Sequence, residues 1–413
     1  NNGSVGSWGI SAPGFYSTHT VIDAHPALKA ASPQAPVTDW FLGDDRHHNG
    51  AFMFQASFSF LSSYGAVRSE PTPDGTPGFS DYGTPDGYKW YLDVGPISNI
   101  NERYLQGNNP LWNAMVDHGT YDSWWRARTP LPHLRNISVP TMVVGGFFDA
   151  QDLYGPLKTY QAIERNNPNS NNILVMGPWW HGGWSRSDGE RYQDIYFGSK
   201  TGLHYRENIE LPFFNYYLKD KGEFNLPEAS IFISGANAWH QFEQWPPTQV
   251  KNKELYLHPS GVLSLEMPTG TDDYDEYVSD PDKPVPHTPK IVVRRDDRYV
   301  IQDQRFASTR PDVLVYESEV LTEDITLTGE LWADLFVATT GTGADFIVKL
   351  IDVYPDTATY IGPNPENVEM GGFQFMVRGE VMRAKFRNSF EHPEPMIPGE
   401  ITEIKFDMQD VAH

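Results

Sequence analysis

A serine set between glycines at a strand-to-helix junction constrains this chain more than any other feature: Gly9-Ile10-Ser11-Ala12-Pro13-Gly14. A short strand-like run precedes it. A helical run follows between Gly14 and Asp23, with Phe15, Thr18, Val21 and Ile22 at helical spacing. So tight a turn pushes the serine hydroxyl out above a parallel sheet, where a substrate meets it. The glycines keep side chains away from the elbow, and Pro13 suits the first turn of the helix behind it. The second glycine stands one position later than in the strict G-x-S-x-G form.

The rest of the chain repeats this strand–helix logic and then abandons it. Residues 1–50 read as strand, elbow, helix, strand (Leu28 to Ser32) and loop. From 51 to 134 aromatics are dense and Pro/Gly clusters such as Pro71-Thr72-Pro73-Asp74-Gly75 interrupt the pattern, which predicts an inserted helical cap with Pro110 to Trp125 helical. A buried strand resumes at Val139 to Gly146. A helix with Leu153, Leu157, Tyr160 and Ile163 on one face follows it, then the strand Ile173 to Met176, which ends at Gly177-Pro178-Trp179-Trp180-His181. Beyond about Leu226 the helical period disappears. Short alternating runs take over at Lys253–Leu257, Val313–Glu317, Ile325–Val337, Phe346–Val353, Gly379–Lys385 and Ile401–Phe406, and the acidic, proline-rich stretch from Thr271 to Thr288 is a loop among them. The expected architecture is α/β: a doubly wound domain from 1–50 and 135–225, a helical cap at 51–134 and a β-sandwich or jelly roll at 226–413.

Composition removes several function classes. A chain of 413 residues with 39% hydrophobic and 14% aromatic content has material for two or three packed domains. Its formal charge of −23 disfavours nucleic acid or an anionic membrane as partner, and no run of 18 apolar residues exists to span a bilayer. With no cysteine there is no disulfide, thiol catalysis or cysteine metal site. The sequence opens almost on the nucleophile strand and stops soon after the last predicted one. It is therefore read as a fragment that lacks the first strands of its sheet.

Acyl transfer by a serine needs a base, a carboxylate to orient the base and donors for the oxyanion. Asp149 stands just past the Val139–Gly146 strand and His181 just past the Ile173–Met176 strand, so Ser11, Asp149 and His181 come from three strand ends on one rim. Their order Ser…Asp…His is that of the α/β-hydrolases. Taken singly, Ser11 reads equally well as a helix cap, Asp149 as the cap of a helix starting near Gln151, and His181 as a hydrogen-bonded loop histidine; their joint placement favours the triad. The backbone amide of Ala12 supplies one oxyanion donor, and the second is expected from an earlier loop that this sequence does not contain.

A second cluster is acidic: Gly43-Asp44-Asp45-Arg46-His47-His48, with Asp152 three residues past the triad aspartate. Convergence of Asp45 and Asp152 near Ser11 creates an anionic pocket for a substrate ammonium. Two other readings stay open: a metal site from Asp44, Asp45, His47 and His48, whose spacing matches no familiar ligand motif, and a solvated loop salt-bridged through Arg46. No metal and no cofactor are expected. In a rival reading of another class, the chain only binds, through Trp239, Trp245 and Trp332 on its β domain.

With these segments assembled, the chain resembles the X-Pro dipeptidyl-peptidase/cocaine-esterase-like serine hydrolases. Within them it is most similar to α-amino-acid ester hydrolases and to sequences labelled glutaryl-7-aminocephalosporanic acid acylases. The stretches that carry the resemblance are GISAPGFYS (Gly9 to Ser17), HPALKAASPQAPVTDWFLGDD (His25 to Asp45), GGFFDAQDLYGPL (Gly145 to Leu157), GPWWHGGW (Gly177 to Trp184), SGANAWHQFEQWPP (Ser234 to Pro247) and ADFIVKLIDVYPD (Ala344 to Asp356). The resemblance implies an α/β-hydrolase domain, partial at its N-terminal strands, with a helical cap and a C-terminal jelly roll. It implies Ser11 as nucleophile, His181 as base and Asp149 as its orienter. The three carboxylate positions that seat a substrate α-ammonium in the amino-acid ester hydrolases fall on Asp45, Gln151 and Asp152. Two departures stand out. Ala12 replaces the tyrosine usual after the nucleophile, and Gln151 is neutral where a carboxylate is expected. The substrate class implied is a small-molecule ester or amide, with a β-lactam nucleus as one amine acceptor, and a homo-oligomer is expected; the sequence leaves the compartment open, and the resemblance is compatible with a periplasmic or secreted one.

Overall fold

The computed structural model describes residues 2–71, 78–270 and 274–413. Most of the turn cluster at Pro71–Gly75 and the start of the acidic stretch at Thr271 lie outside the described residues.

Strand β1 (Val5–Ser11) runs directly into helix α1 (Ala12–Thr20), and β2 (Leu28–Pro36) returns beside β1 in parallel. After the insert, β3 (Thr141–Gly146), helix α5 (Tyr154–Asn166) and β4 (Asn172–Gly177) extend the sheet, again in parallel. Every residue of β3 and β4 is buried, as parallel strands between two helical layers require. Alternation along the strands separates the two faces. Val143, Leu174 and Met176 pack with Leu157 and Tyr160 of α5. Met142, Val144, Ile173 and Val175 face the other way, toward Phe213 of helix α6 (Leu211–Lys219).

The sheet does not stop at β4. Strand β5 (Ala229–Ile233) pairs with β4 in parallel, and β6 (Ala238–Phe242) closes the edge antiparallel to β5, so the order is β1-β2-β3-β4-β5-β6. Both strands lie within the stretch from 226 read as the C-terminal domain, and they alternate like its later runs, but their hydrogen bonds go to β4. Strand β2 also outruns its expected end at Ser32. Its continuation is polar yet buried, because Ser32 Oγ donates to the Met142 carbonyl at 2.9 Å, Gln34 donates to Tyr205 and Glu210, and Trp184 donates to Gln34.

Between β2 and β3 lies an aromatic-rich insert. Its helices include α2 (Phe54–Leu61), α3 (Gly87–Val94) and α4 (Pro110–Asp117). Asp86 and Asn109 cap the last two by accepting from Lys89 N and Trp112 N, and Pro110 sits in the first turn of α4. Phe41, Phe58, Trp90, Trp112 and Trp125 form the core here.

The C-terminal region is built on two antiparallel ribbons. One pairs β7 (Thr328–Val337) with β10 (Thr402–Ala412), the other β8 (Asp345–Val353) with β9 (Gln374–Arg383). They share a core of Ala333, Met382, Ile404, Phe406 and Met408, the apolar alternates of both ribbons. The run Val313–Glu317 forms no strand; Glu317 makes a single bridge to Val262. Among the described residues no helix is long and apolar enough to cross a membrane.

Candidate active site

The elbow at Ser11 is strained in the way its chemistry demands. Ser11 has φ 68° and ψ −126°, a region that L-residues rarely occupy, and its side chain makes no cap to α1. The late glycine has a packing cause. A Cβ on Gly14 would lie 2.5 Å from the Gln34 carbonyl oxygen, because α1 presses against β2 at this point, while a Cβ on Gly9 would lie 2.4 Å from Pro13 Cβ. The Ala12 amide opens α1, where a backbone N–H has no partner within the helix and is free to donate to an oxyanion.

Asp149 and His181 meet as the strand ends predict. His181 Nδ1 lies 2.8 Å from Asp149 Oδ2, and Asp149 Oδ1 accepts from Gln151 N at 2.8 Å and Asp152 N at 3.1 Å. The aspartate thus caps its own turn and orients the imidazole at once. Burial opposes its charge, but His181 and the two amides outweigh burial and hold the carboxyl below the usual range. Burial likewise pulls His181 down, and Asp149 with a further contribution from Asp45 lifts it above the ordinary histidine value.

Asp152 stands between the two halves of the site. Its Oδ2 accepts from Ser11 Oγ at 3.4 Å and lies 3.7 Å from His181 Nδ1, while Oδ1 is buried and, among the described residues, has no hydrogen-bond partner. Among the described residues no hydrogen bond joins Ser11 to His181. Burial, then the charges of Asp45, Asp44 and Asp149, push Asp152 well above the carboxylate range, against the pull of Arg46. Such a group gains from any cation brought to it.

The Asp44–His48 run disperses. Asp44 accepts from Thr38 N, Thr38 Oγ1, Asp39 N and Gly155 N, which ties the loop to α5. Asp45, at φ 47°, turns toward the site with Trp40 Nε1 at 3.2 Å and Arg46 at 3.5 Å. Arg46 is buried, with its guanidinium over the rings of Phe60 and Trp40, so the loop is not a solvated one. His47 stacks on Phe41, and His48 bonds Glu380 of β9. Among the described residues no cluster of His, Asp and Glu has the arrangement of a metal site. Two of the three tryptophans of the binding-only reading are taken up in packing: Trp245 is buried and donates to Asp410 at 2.6 Å, and Trp239 packs against Trp179 and Phe232. Trp332 is exposed.

Sequence reasoning missed Arg295 and Asp297. Gln151 Nε2 donates to Asp297 Oδ2 at 3.2 Å, and Arg295 Nε to Asp297 Oδ1 at 2.6 Å. Their one local signal is the charged run Arg294-Arg295-Asp296-Asp297-Arg298, which carries no hint of its distant partner.

Residues 1–183 match the X-Pro dipeptidyl-peptidase (S15 family) model, and residues 222–413 match the X-Pro dipeptidyl-peptidase C-terminal non-catalytic domain. The chain belongs to the S15 family. A relative, the cocaine esterase of Rhodococcus sp. (strain MB1 Bresler), is 25% identical over 98% of this chain and 70% of its own. Two solved structures cover the whole chain and 67% of their own: an aminopeptidase from a marine sediment Thaumarchaeota archaeon (TM-score 0.91, 34% identity) and an α-amino acid ester hydrolase (TM-score 0.90, 31% identity). The protein is thus an S15 serine hydrolase of the esterase and peptidase class, an α/β-hydrolase carrying a C-terminal β domain.

Proposed function

We propose that the protein hydrolyses esters or amides of α-amino acids through an acyl-enzyme on Ser11. His181 Nε2 takes the hydroxyl proton as Oγ attacks the acyl carbon, then returns it to the leaving alcohol or amine as the ester or amide bond breaks. Asp149 fixes the tautomer by accepting from Nδ1, and the Ala12 amide donates to the oxyanion. Water, deprotonated by the same nitrogen, releases the acid. An amine such as a β-lactam nucleus, taking the place of water, receives the acyl group instead. Asp45 and Asp152 seat the substrate ammonium.

The observation that carries this reading is Asp152, a fully buried carboxyl group with one oxygen that has no hydrogen-bond partner among the described residues and the other at the nucleophile's hydroxyl. An ammonium placed there relieves the cost of ionising Asp152 and releases the Ser11 hydroxyl toward His181. The solved relatives named for amino-acid ester and aminopeptidase activity support the same class. A second reading, a carboxylesterase with no amino requirement, is favoured by the neutral Gln151 and by the cocaine esterase relative. Asp45→Asn separates them. KM for an α-amino ester should rise about tenfold or more, the loss of one charge-assisted hydrogen bond, with the matched des-amino ester unaffected. Equal effects on both esters would refute the ammonium pocket.

A further inference from the structure

The neutral side chain in the triad-aspartate turn has a carboxylate against it, supplied from the far end of the chain. Asp297 begins a short 3-10 turn (Asp297–Ile301) of the C-terminal region, and its Oδ2 accepts from Gln151 Nε2 at 3.2 Å. Arg295 Nε holds Oδ1 at 2.6 Å, and Tyr192 Oη donates to the Asp297 carbonyl at 3.3 Å. Asp45 N donates to the Gln151 carbonyl at 2.9 Å, so Asp45, Gln151 and Asp297 stand side by side along one rim. The Asp297 side chain is 41% exposed and that of Arg295 16%, so the carboxylate, not the guanidinium, fronts solvent.

The carboxyl groups of this rim differ in what they are already paired with. Asp149 and His181 are paired with each other, and Asp44 is spent on four hydrogen-bond donors. Asp45 and Asp297 each lie against a guanidinium group, Arg46 at 3.5 Å and Arg295 at 2.6 Å, while burial pushes Asp152 toward its neutral form. A substrate ammonium entering here meets the Asp152 oxygen that has no hydrogen-bond partner among the described residues, with Asp45 and the half-exposed Asp297 on the same rim.

We propose that Asp297 is a specificity-determining residue that contacts the substrate's α-ammonium, delivered to the catalytic rim by the C-terminal domain and held there by Gln151 and Arg295. This rests on the α-amino reading above. In that reading Gln151 does not weaken the pocket; it exchanges its own charge for one borrowed from the other domain.

The test measures kcat and KM on an α-amino ester and its des-amino counterpart for Asp297→Asn, Gln151→Glu with Asp297→Asn, Arg295→Gln and Asp45→Asn, each checked for folding by circular dichroism. Asp297→Asn should raise KM for the amino ester about tenfold with kcat nearly unchanged and the des-amino ester unaffected. Gln151→Glu with Asp297→Asn should return that KM toward the parent, because the carboxylate moves back across the 3.2 Å contact. A purely structural role for Asp297 predicts no such rescue. Arg295→Gln releases Asp297 from the 2.6 Å contact that holds it, so it should raise KM for the amino ester alone; it decides the matter if Asp297→Asn fails to fold, and an equal shift for both esters would remove Asp297 from the role. Should Asp45→Asn be selective while Asp297→Asn leaves both KM values unchanged or shifts them equally, Asp297 has no such role and the ammonium reading survives. Should Asp45→Asn also affect both esters alike, the two proposals fall together.

Discussion

Asp149→Asn probes the site at the point where its geometry leaves least room. In the parent, Oδ1 receives two backbone N–H donors, at 2.8 and 3.1 Å, while Oδ2 receives His181 Nδ1 at 2.8 Å. An asparagine has one acceptor and one donor end to divide between these two sides. If its NH2 faced the turn, two buried amides would lose their acceptor, at about 1–3 kcal/mol each. The amide oxygen therefore stays with the backbone and the NH2 faces the imidazole. Nδ1 must then accept, and the ring proton moves to Nε2, the nitrogen needed to receive the Ser11 proton. The expected loss in kcat is about 10⁴-fold, or about 5.5 kcal/mol, with little change in fold stability. The pH profile should move as well. Asp149 is the main group lifting His181 against burial, so in the parent activity falls as pH drops through a value above 6.5, and the variant's acid limb should shift to lower pH. The assay is steady-state hydrolysis of a chromogenic ester across the titration range of His181. A kcat within tenfold of the parent, or an acid limb that does not move, would refute the tautomer argument.

Further expectations follow from the same geometry. A fluorophosphonate probe should label Ser11, located by mass spectrometry, and Ser11→Ala should abolish both labelling and turnover; label on another residue would remove Ser11 from its role. Gly14→Ala forces a methyl to within 2.5 Å of the Gln34 carbonyl, so it should destabilise by about 1–3 kcal/mol in denaturant titration and slow the probe reaction. His48 is lowered by burial but raised on balance by Glu380, at 3.0 Å, above its unfolded value near 6.5. The pair should therefore stabilise the fold below about pH 6.5 and lose that contribution as pH rises through the folded value. A stability gap between parent and His48→Gln that is the same at all pH values would exclude it.

Much of the site was legible because strand ends are legible. The apolar runs around Val143 and Leu174 can only be buried parallel strands, and the polar residues that follow them land on one rim. What escaped depends on partners far away in sequence. The continuation of β2 through Pro33, Gln34 and Pro36 looks like a loop until Tyr205, Glu210 and Trp184 close around Gln34. The strands β5 and β6 alternate like those of the β domain, and only the identity of the neighbouring strand separates the two assignments. Val313–Glu317 has strand propensity but no partner along most of its length. Asp297 is beyond any local pattern, since a charged residue in a turn is ordinarily just solvated.

The hairpin at the end of the central sheet also has a mechanical meaning. Ser234, just after β5, donates from both its amide and its hydroxyl to the Ala412 carbonyl at the end of β10, at 3.2 and 3.0 Å. Trp245 bonds Asp410 and Lys158 bonds Asp407 along the same line. The two halves are therefore stitched by backbone and side-chain hydrogen bonds rather than merely resting against each other, and a jaw-like opening between them would have to break every one of these bonds.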